Sequence, residues 1–148
     1  MRHQNKGLID RDVSLNFQFN GKHFKGFKGD TLASALLANN QILVGRSFKY
    51  HRPRGVMTAG SEEPNALVTV ERAGSLEPNT RATVQPLYEG LIAQSQNAWP
   101  TLRYDLLSIN NYLSPFLDTG FYYKNLEGWA VSGRVACTGK NAKPWTLK

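Results

Sequence analysis

The densest run of side chains capable of chemistry lies between residues 46 and 54. There Arg46, Lys49, Arg52 and Arg54 are interleaved with Phe48, Tyr50 and His51. Guanidinium groups grip phosphate oxygens through paired hydrogen bonds, and an ammonium meets them as a point charge. The run therefore suits contact with a cofactor phosphate. Aromatic rings between cations also stack on unpaired bases, so single-stranded nucleic acid is a second reading. The third is a solvated or subunit-facing loop whose arginines pair with carboxylates, and taken alone the string favours it, because basic runs are common.

Other candidates are weaker. Glu62 and Glu63 are adjacent carboxylates. Acid–base work requires two such groups to converge on one substrate, so a hydrated turn or a partner for the arginines is expected instead. Asp30 is expected to cap a helix and not to catalyse. The single cysteine, Cys137, excludes an internal disulfide and any cysteine cage. Only Arg134 and Lys140 lie near it in sequence, so an inert thiol is expected. His3, His23 and His51 lack metal-ligand spacing. No catalytic residue and no metal site is assigned.

These side chains need a scaffold. With 41% hydrophobic residues among 148, a packed core is within reach. The net charge of +7 favours an acidic partner: nucleic acid, an anionic cofactor or an acidic protein surface. The opening MRHQNKGLIDRD lacks the apolar core of a secretory signal. No apolar run approaches the roughly 20 residues of a membrane span. A cytoplasmic location with no membrane contact is expected.

Val13, Leu15, Phe17 and Phe19 alternate with polar residues, which predicts a strand with one buried face. Asn20-Gly21 is a hairpin signal, and the return strand is expected over Lys22–Phe27 with Phe24 inward. Asp30 is expected to cap a helix that buries Leu32, Ala35 and Leu36, and Asn39-Asn40 to end it. Ile42–Val44 suggests a brief strand and residues 45–64 a long loop. Ala66–Val70 reads as a strand, Glu71–Pro78 as turn, Arg81–Val84 as a short strand and Pro86–Gln94 as helix. Residues 97–123, rich in aromatics, are expected to pack against something outside the core. Hairpin, helix, long loop and returning strands make an α+β chain on the β-grasp plan.

Five ordered strings add to this reading: GDTLASALLAN at 29–39, VGRSFKYHRPRG at 44–55, AGSEEPNALVTV at 59–70, EPNTRATVQPLYEG at 77–90 and SPFLDTGFYYK at 114–124. Together they resemble the N-terminus of the alpha subunit of heterotetrameric sarcosine oxidases, over roughly residues 9–124. In related amine and opine dehydrogenases the corresponding domain resembles a 2Fe–2S ferredoxin, with cysteines between a PRG string and an LVTV strand. Plant-type spacing (Cys, four residues, Cys, two residues, Cys) then falls here on Thr58, Glu63 and Ala66, with the distant fourth position near Thr83. None is cysteine. The resemblance thus implies a ferredoxin-like β-grasp domain without its cluster, a loss that sarcosine oxidase alpha subunits share.

It further implies a hetero-oligomeric flavoenzyme complex that oxidises sarcosine to glycine, releases the methyl carbon as formaldehyde or passes it to tetrahydrofolate, and reduces oxygen to hydrogen peroxide. FAD, FMN and NAD serve that complex. A dinucleotide site needs G-x-G-x-x-G between strand and helix, which this chain lacks, and the folate-binding region lies elsewhere in the family. No cofactor is therefore expected on this chain alone. With the resemblance, a cofactor or interface role for Arg46, Lys49, Arg52 and Arg54 ranks level with the solvated loop, and nucleic acid falls to third. The expected organisation is a polar arm at 1–12, the β-grasp domain at 13–95, an extension at 96–124 that packs on the remainder of the subunit, and a divergent tail at 125–148. That tail departs from the family after Lys124 and reads as a truncated or frameshifted end. The aromatic set Trp99, Tyr104, Tyr112, Phe116, Phe121, Tyr122 and Tyr123 is expected to bury against that remainder.

Overall fold

A computed structural model describes residues 7–113. The expectations for the arm before residue 7, for the string at 114–124, for Cys137 and for the tail lie outside these residues. The first two strands are β1 (Asp10–Phe19) and β2 (Lys22–Lys28). They are joined at Asn20-Gly21, both with positive φ (50° and 76°), the backbone that this dipeptide tolerates and most residues resist. Phe17 and Phe19 are buried, and Phe24 stacks on Phe17 with ring centroids 5.7 Å apart. Val13 is exposed, so only the later part of the alternating stripe enters the core.

Helix α1 (Leu32–Ala38) buries Leu32, Ala33, Ala35 and Leu36. Its cap is Thr31 and not Asp30: Thr31 Oγ1 accepts from Ser34 N at 3.3 Å, and Thr31 N donates to Ser34 Oγ at 3.0 Å. Asp30 is buried one residue earlier, where it accepts from Phe27 N at 3.0 Å and Ser34 Oγ at 2.8 Å. Its carboxylate thus ties the end of the hairpin to the first helical turn. Thr31→Ala should cost about 1 kcal/mol, read as a lower urea midpoint at unchanged slope. Asn39 is the C-cap and Asn40 takes φ 59°, as the Asn pair predicts. The helix lies close over the hairpin at Gly26, where an added Cβ would collide with the Leu87 side chain and crowd Ala35.

Past the helix, several expectations fail. Residues 42–44 form no strand; the chain pairs just after them, in a small two-stranded sheet of β3 (Gly45–Arg46) and β4 (Pro53–Arg54). A 3-10 turn follows at Gly60–Glu62. Strand β5 (Leu67–Arg72) is present, but residues 71–78 are not a turn region. They complete a second hairpin, with Ala73-Gly74 at its tip and β6 (Ser75–Arg81) returning. Pro78 obscures β6 in the sequence, yet it is tolerated because β6 is an edge strand. Residues 82–84 are a turn and not a strand. The carbonyls of Ala82 and Gln85 accept from Ala33 N and Leu32 N, both at 2.9 Å, satisfying amides that open α1.

The largest departure is at 86–94. The spacing of Leu87 and Leu91 mimics a helix, but the chain turns at Glu89-Gly90 and enters β7 (Leu91–Ser95). This strand pairs parallel to β1 and antiparallel to β5, at the centre of a five-stranded sheet ordered β2-β1-β7-β5-β6. Two hairpins bracketing a late central strand, with one helix against the sheet, make an α+β fold on the ferredoxin-like β-grasp plan. A single apolar cluster, including Phe17, Leu36, Val44, Val68 and Leu91, fills the space between. No helix among the described residues is long and apolar enough to cross a membrane.

Candidate functional site

The segment between β4 and β5 is folded around one carboxylate. Glu63 is 1% exposed. Its Oε2 accepts from Met57 N at 2.8 Å and Thr58 N at 2.7 Å, and its Oε1 from Asn65 N at 2.8 Å and Ala66 N at 3.0 Å. Thr58 Oγ1 adds a longer approach at 3.5 Å. Burial alone would raise the carboxyl pKa and is the largest single influence, but the four backbone donors together outweigh it and hold the group down at about 2. The expectation of a hydrated turn or an arginine partner for this residue is therefore corrected: Glu63 is dry and bound to backbone. Glu62 beside it is exposed.

Thr58, Glu63 and Ala66 thus meet directly through this carboxylate. The fourth position adjoins them. Ala82 N donates to Ala66 O at 2.9 Å, and Thr83 Oγ1 donates to Gly60 O at 2.5 Å. The turn after β6 is what carries Thr83 to the loop.

The basic run is bound largely to its own protein. Arg46, on β3, donates from Nε to Leu102 O at 3.0 Å, from Nη1 to His51 O at 2.8 Å and from Nη2 to Arg103 O at 3.2 Å. Its Nε also lies 3.4 Å from Asp105 Oδ2, and its side chain is only 10% exposed. The same Asp105 oxygen is 2.8 Å from His51 Nδ1. Asp105 Oδ1 accepts from Trp99 N at 3.2 Å and Leu107 N at 3.1 Å, which caps the 3-10 turn Leu106–Asn111. Arg46, His51 and Asp105 therefore clamp residues 99–111 onto the loop.

The remaining cations have local partners too. Arg52 Nε donates to Asn111 Oδ1 at 2.7 Å, with its guanidinium 4.8 Å from the centre of the Tyr50 ring. Arg54 Nη1 donates to Asn65 Oδ1. Lys49 Nζ lies 5.4 Å from the centre of the Tyr50 ring and, among the described residues, is buried without a hydrogen-bond acceptor.

Outside the clamp the 99–113 segment turns apolar side chains to solvent. Trp99, Tyr104, Leu106, Ile109 and Tyr112 are all exposed. Sequence reasoning missed Asp105. Its only signal was an Asp placed just before an apolar pair, a residue type that caps helical turns; Ser108 Oγ donates to its backbone carbonyl at 2.6 Å. Nothing in the spacing tied it to Arg46 and His51, which lie more than fifty residues earlier.

A model of the family described as the 2Fe-2S iron-sulfur cluster binding domain matches residues 12–98. The sarcosine oxidase subunit alpha of Rhizobium meliloti (strain 1021) is 65% identical over 119 residues, which cover 80% of this chain and 12% of that one. Its namesake from Corynebacterium sp. (strain U-96) is 38% identical over 117 residues, 77% of this chain and 11% of that one. The chain thus spans about 12% of the length of the first of these relatives. Among solved structures, L-proline dehydrogenase from P. horikoshii matches with a TM-score of 0.48 at 26% identity, over 61% of this chain and 17% of that one.

A 2Fe–2S cluster is held by thiolates, with imidazoles replacing two of them in one class. Residues 7–113 contain no cysteine, and no group of three or more His, Cys, Asp or Glu side chains among them could hold a metal ion. Thr58, Glu63, Ala66 and Thr83 offer one strong ligand between them, and its oxygens already face backbone N–H groups. These residues do not fit the cluster. The matched span and the sequence identities nonetheless agree on descent: the chain belongs to the 2Fe-2S iron-sulfur cluster binding domain family, and it is homologous over most of its length to sarcosine oxidase alpha subunits.

Proposed function

We propose that this chain is the N-terminal β-grasp portion of a sarcosine oxidase alpha-type subunit. Its role is structural and cofactor-adjacent, within a hetero-oligomeric flavoenzyme that demethylates sarcosine oxidatively to glycine and forms hydrogen peroxide. The observation that carries this reading is the 65% identity over 119 residues to one such subunit. FAD, FMN and NAD belong to the assembled complex, and this chain by itself holds no iron–sulfur cluster and performs no catalysis. Thr58, Glu63, Ala66 and Thr83 are the former ligand positions. The working division is a polar arm at 1–12, whose last three residues enter β1, the β-grasp domain at 13–95, an extension at 96–124 that docks on the remainder of the subunit, and a divergent tail at 125–148.

For the basic run, an interface role is favoured over a phosphate site. Arg46, Arg52 and Arg54 each donate to oxygens of this same chain, and two of them hold the segment that carries Trp99, Leu106 and Ile109. Apolar side chains held outward by a buried charge network suit contact with the remainder of an alpha subunit and with the other subunits.

Co-expression tests this. The chain is expected to be captured by the remainder of an alpha-type subunit, and Leu106→Asp with Ile109→Asp should abolish capture while leaving the circular dichroism spectrum unchanged. The chain alone should form no hydrogen peroxide from sarcosine. Retention on single-stranded DNA that collapses with added salt, with no capture, would replace this reading by that of a nucleic-acid-binding module.

A further inference from the structure

The loop at 57–66 presents a problem of charge. Four backbone N–H groups, those of Met57, Thr58, Asn65 and Ala66, converge on one point from both sides of residue 63. Successive amides aimed into a concavity form a nest for an anion, a device that phosphate and iron–sulfur sites share. Left empty, such a nest buries donors without acceptors, and each would carry its own desolvation cost.

We infer that the Glu63 carboxylate is a built-in anion that fills this nest in place of an external one, so that the loop keeps its shape with no cluster or ion supplied from outside. The nest itself stands on the geometry of Glu63; its coincidence with former ligand positions rests on the reading proposed above.

The chemistry of the alternatives sets the test. Glutamine at 63 keeps one acceptor oxygen for one pair of amides but turns an NH2 group toward the other pair, donor against donor. Alanine leaves all four amides open to a small carboxylate from solution, because residues 57–62 lie at the surface. Amide hydrogen exchange on the full chain resolves the nest residue by residue. In Glu63→Gln the amides of Met57, Thr58, Asn65 and Ala66 should exchange about 10- to 100-fold faster, while amides of β1 and β7 that open only on global unfolding should follow the change in urea midpoint and no more. In Glu63→Ala, sodium formate should restore protection, or restore folding if the variant unfolds, and formamide should not. Unchanged exchange at the four amides of a folded Glu63→Gln protein, or equal effects of formate and formamide, would overturn the inference.

A second arm separates this from the ligand-position reading. Thr58→Cys, Glu63→Cys, Ala66→Cys and Thr83→Cys are combined, and the protein is supplied with iron and sulfide under anaerobic conditions. A visible cluster chromophore is expected. If the folded variant stays colourless while Glu63→Gln opens the four amides, the ligand positions are wrong and the nest stands. If the chromophore forms but Glu63→Gln is silent, the ligand positions hold and the built-in anion does not.

Discussion

Asp105→Ala should lower the unfolding free energy by roughly 3–5 kcal/mol, the usual cost of removing one member of a buried charge network. The Asp105 side chain is fully buried and meets His51 Nδ1 at 2.8 Å and Arg46 Nε at 3.4 Å. Its other oxygen accepts from Trp99 N and Leu107 N. Alanine would therefore take the counter-charge from a buried guanidinium and leave an imidazole nitrogen and two amides without their acceptor. Arg46 would keep its three carbonyl acceptors, so the loss is expected to appear first in residues 99–111. Urea unfolding at neutral pH gives the global figure, and hydrogen exchange at Leu107 shows where the structure opens. Arg52→Ala is the control: its contacts lie at the surface, and a change within about 0.5 kcal/mol is expected. A loss below 1 kcal/mol for Asp105→Ala would mean that the network does not hold the segment.

The second large effect depends on pH. The Glu63 carboxyl is lowered from 4.5 to about 2 in the fold. A carboxyl depressed on folding stabilises fully above its unfolded pKa and loses that contribution as pH falls through its folded value. Wild type should therefore exceed Glu63→Gln by roughly 2–3 kcal/mol at pH 7, the worth of hydrogen bonds to a charged acceptor. The gap should begin to close below pH 4.5 and be mostly gone near pH 2. Urea midpoints of the two proteins across that range measure it. A gap constant with pH would place the cost of the substitution in shape and not in charge.

Much of the fold was legible in the residues because local chemistry decided it. Asn20-Gly21 permits the positive φ of a tight hairpin, and few other pairs do. Leu32, Ala35 and Leu36 repeat at helical spacing on one face. Where local signals were weak or contradictory, the reading failed. Pro78 argued against a strand that its edge position in fact allows, and the helix-like spacing at Leu87 and Leu91 concealed the central strand. A β7 that pairs parallel to β1, more than seventy residues away, leaves no short-range signature.

The sequence alone determined that no cysteine falls on the spacing of cluster ligands, since identity at a position needs no coordinates. It also determined the basic character of the run at 46–54. Only the tertiary structure decided what those residues do. Glu63 became the acceptor for four amides because the loop closes around it, and Arg46 became a clamp because Asp105 and the carbonyls of residues 102–103 arrive beside it. A side chain carries its charge wherever the chain goes; its partners exist only once distant segments have packed.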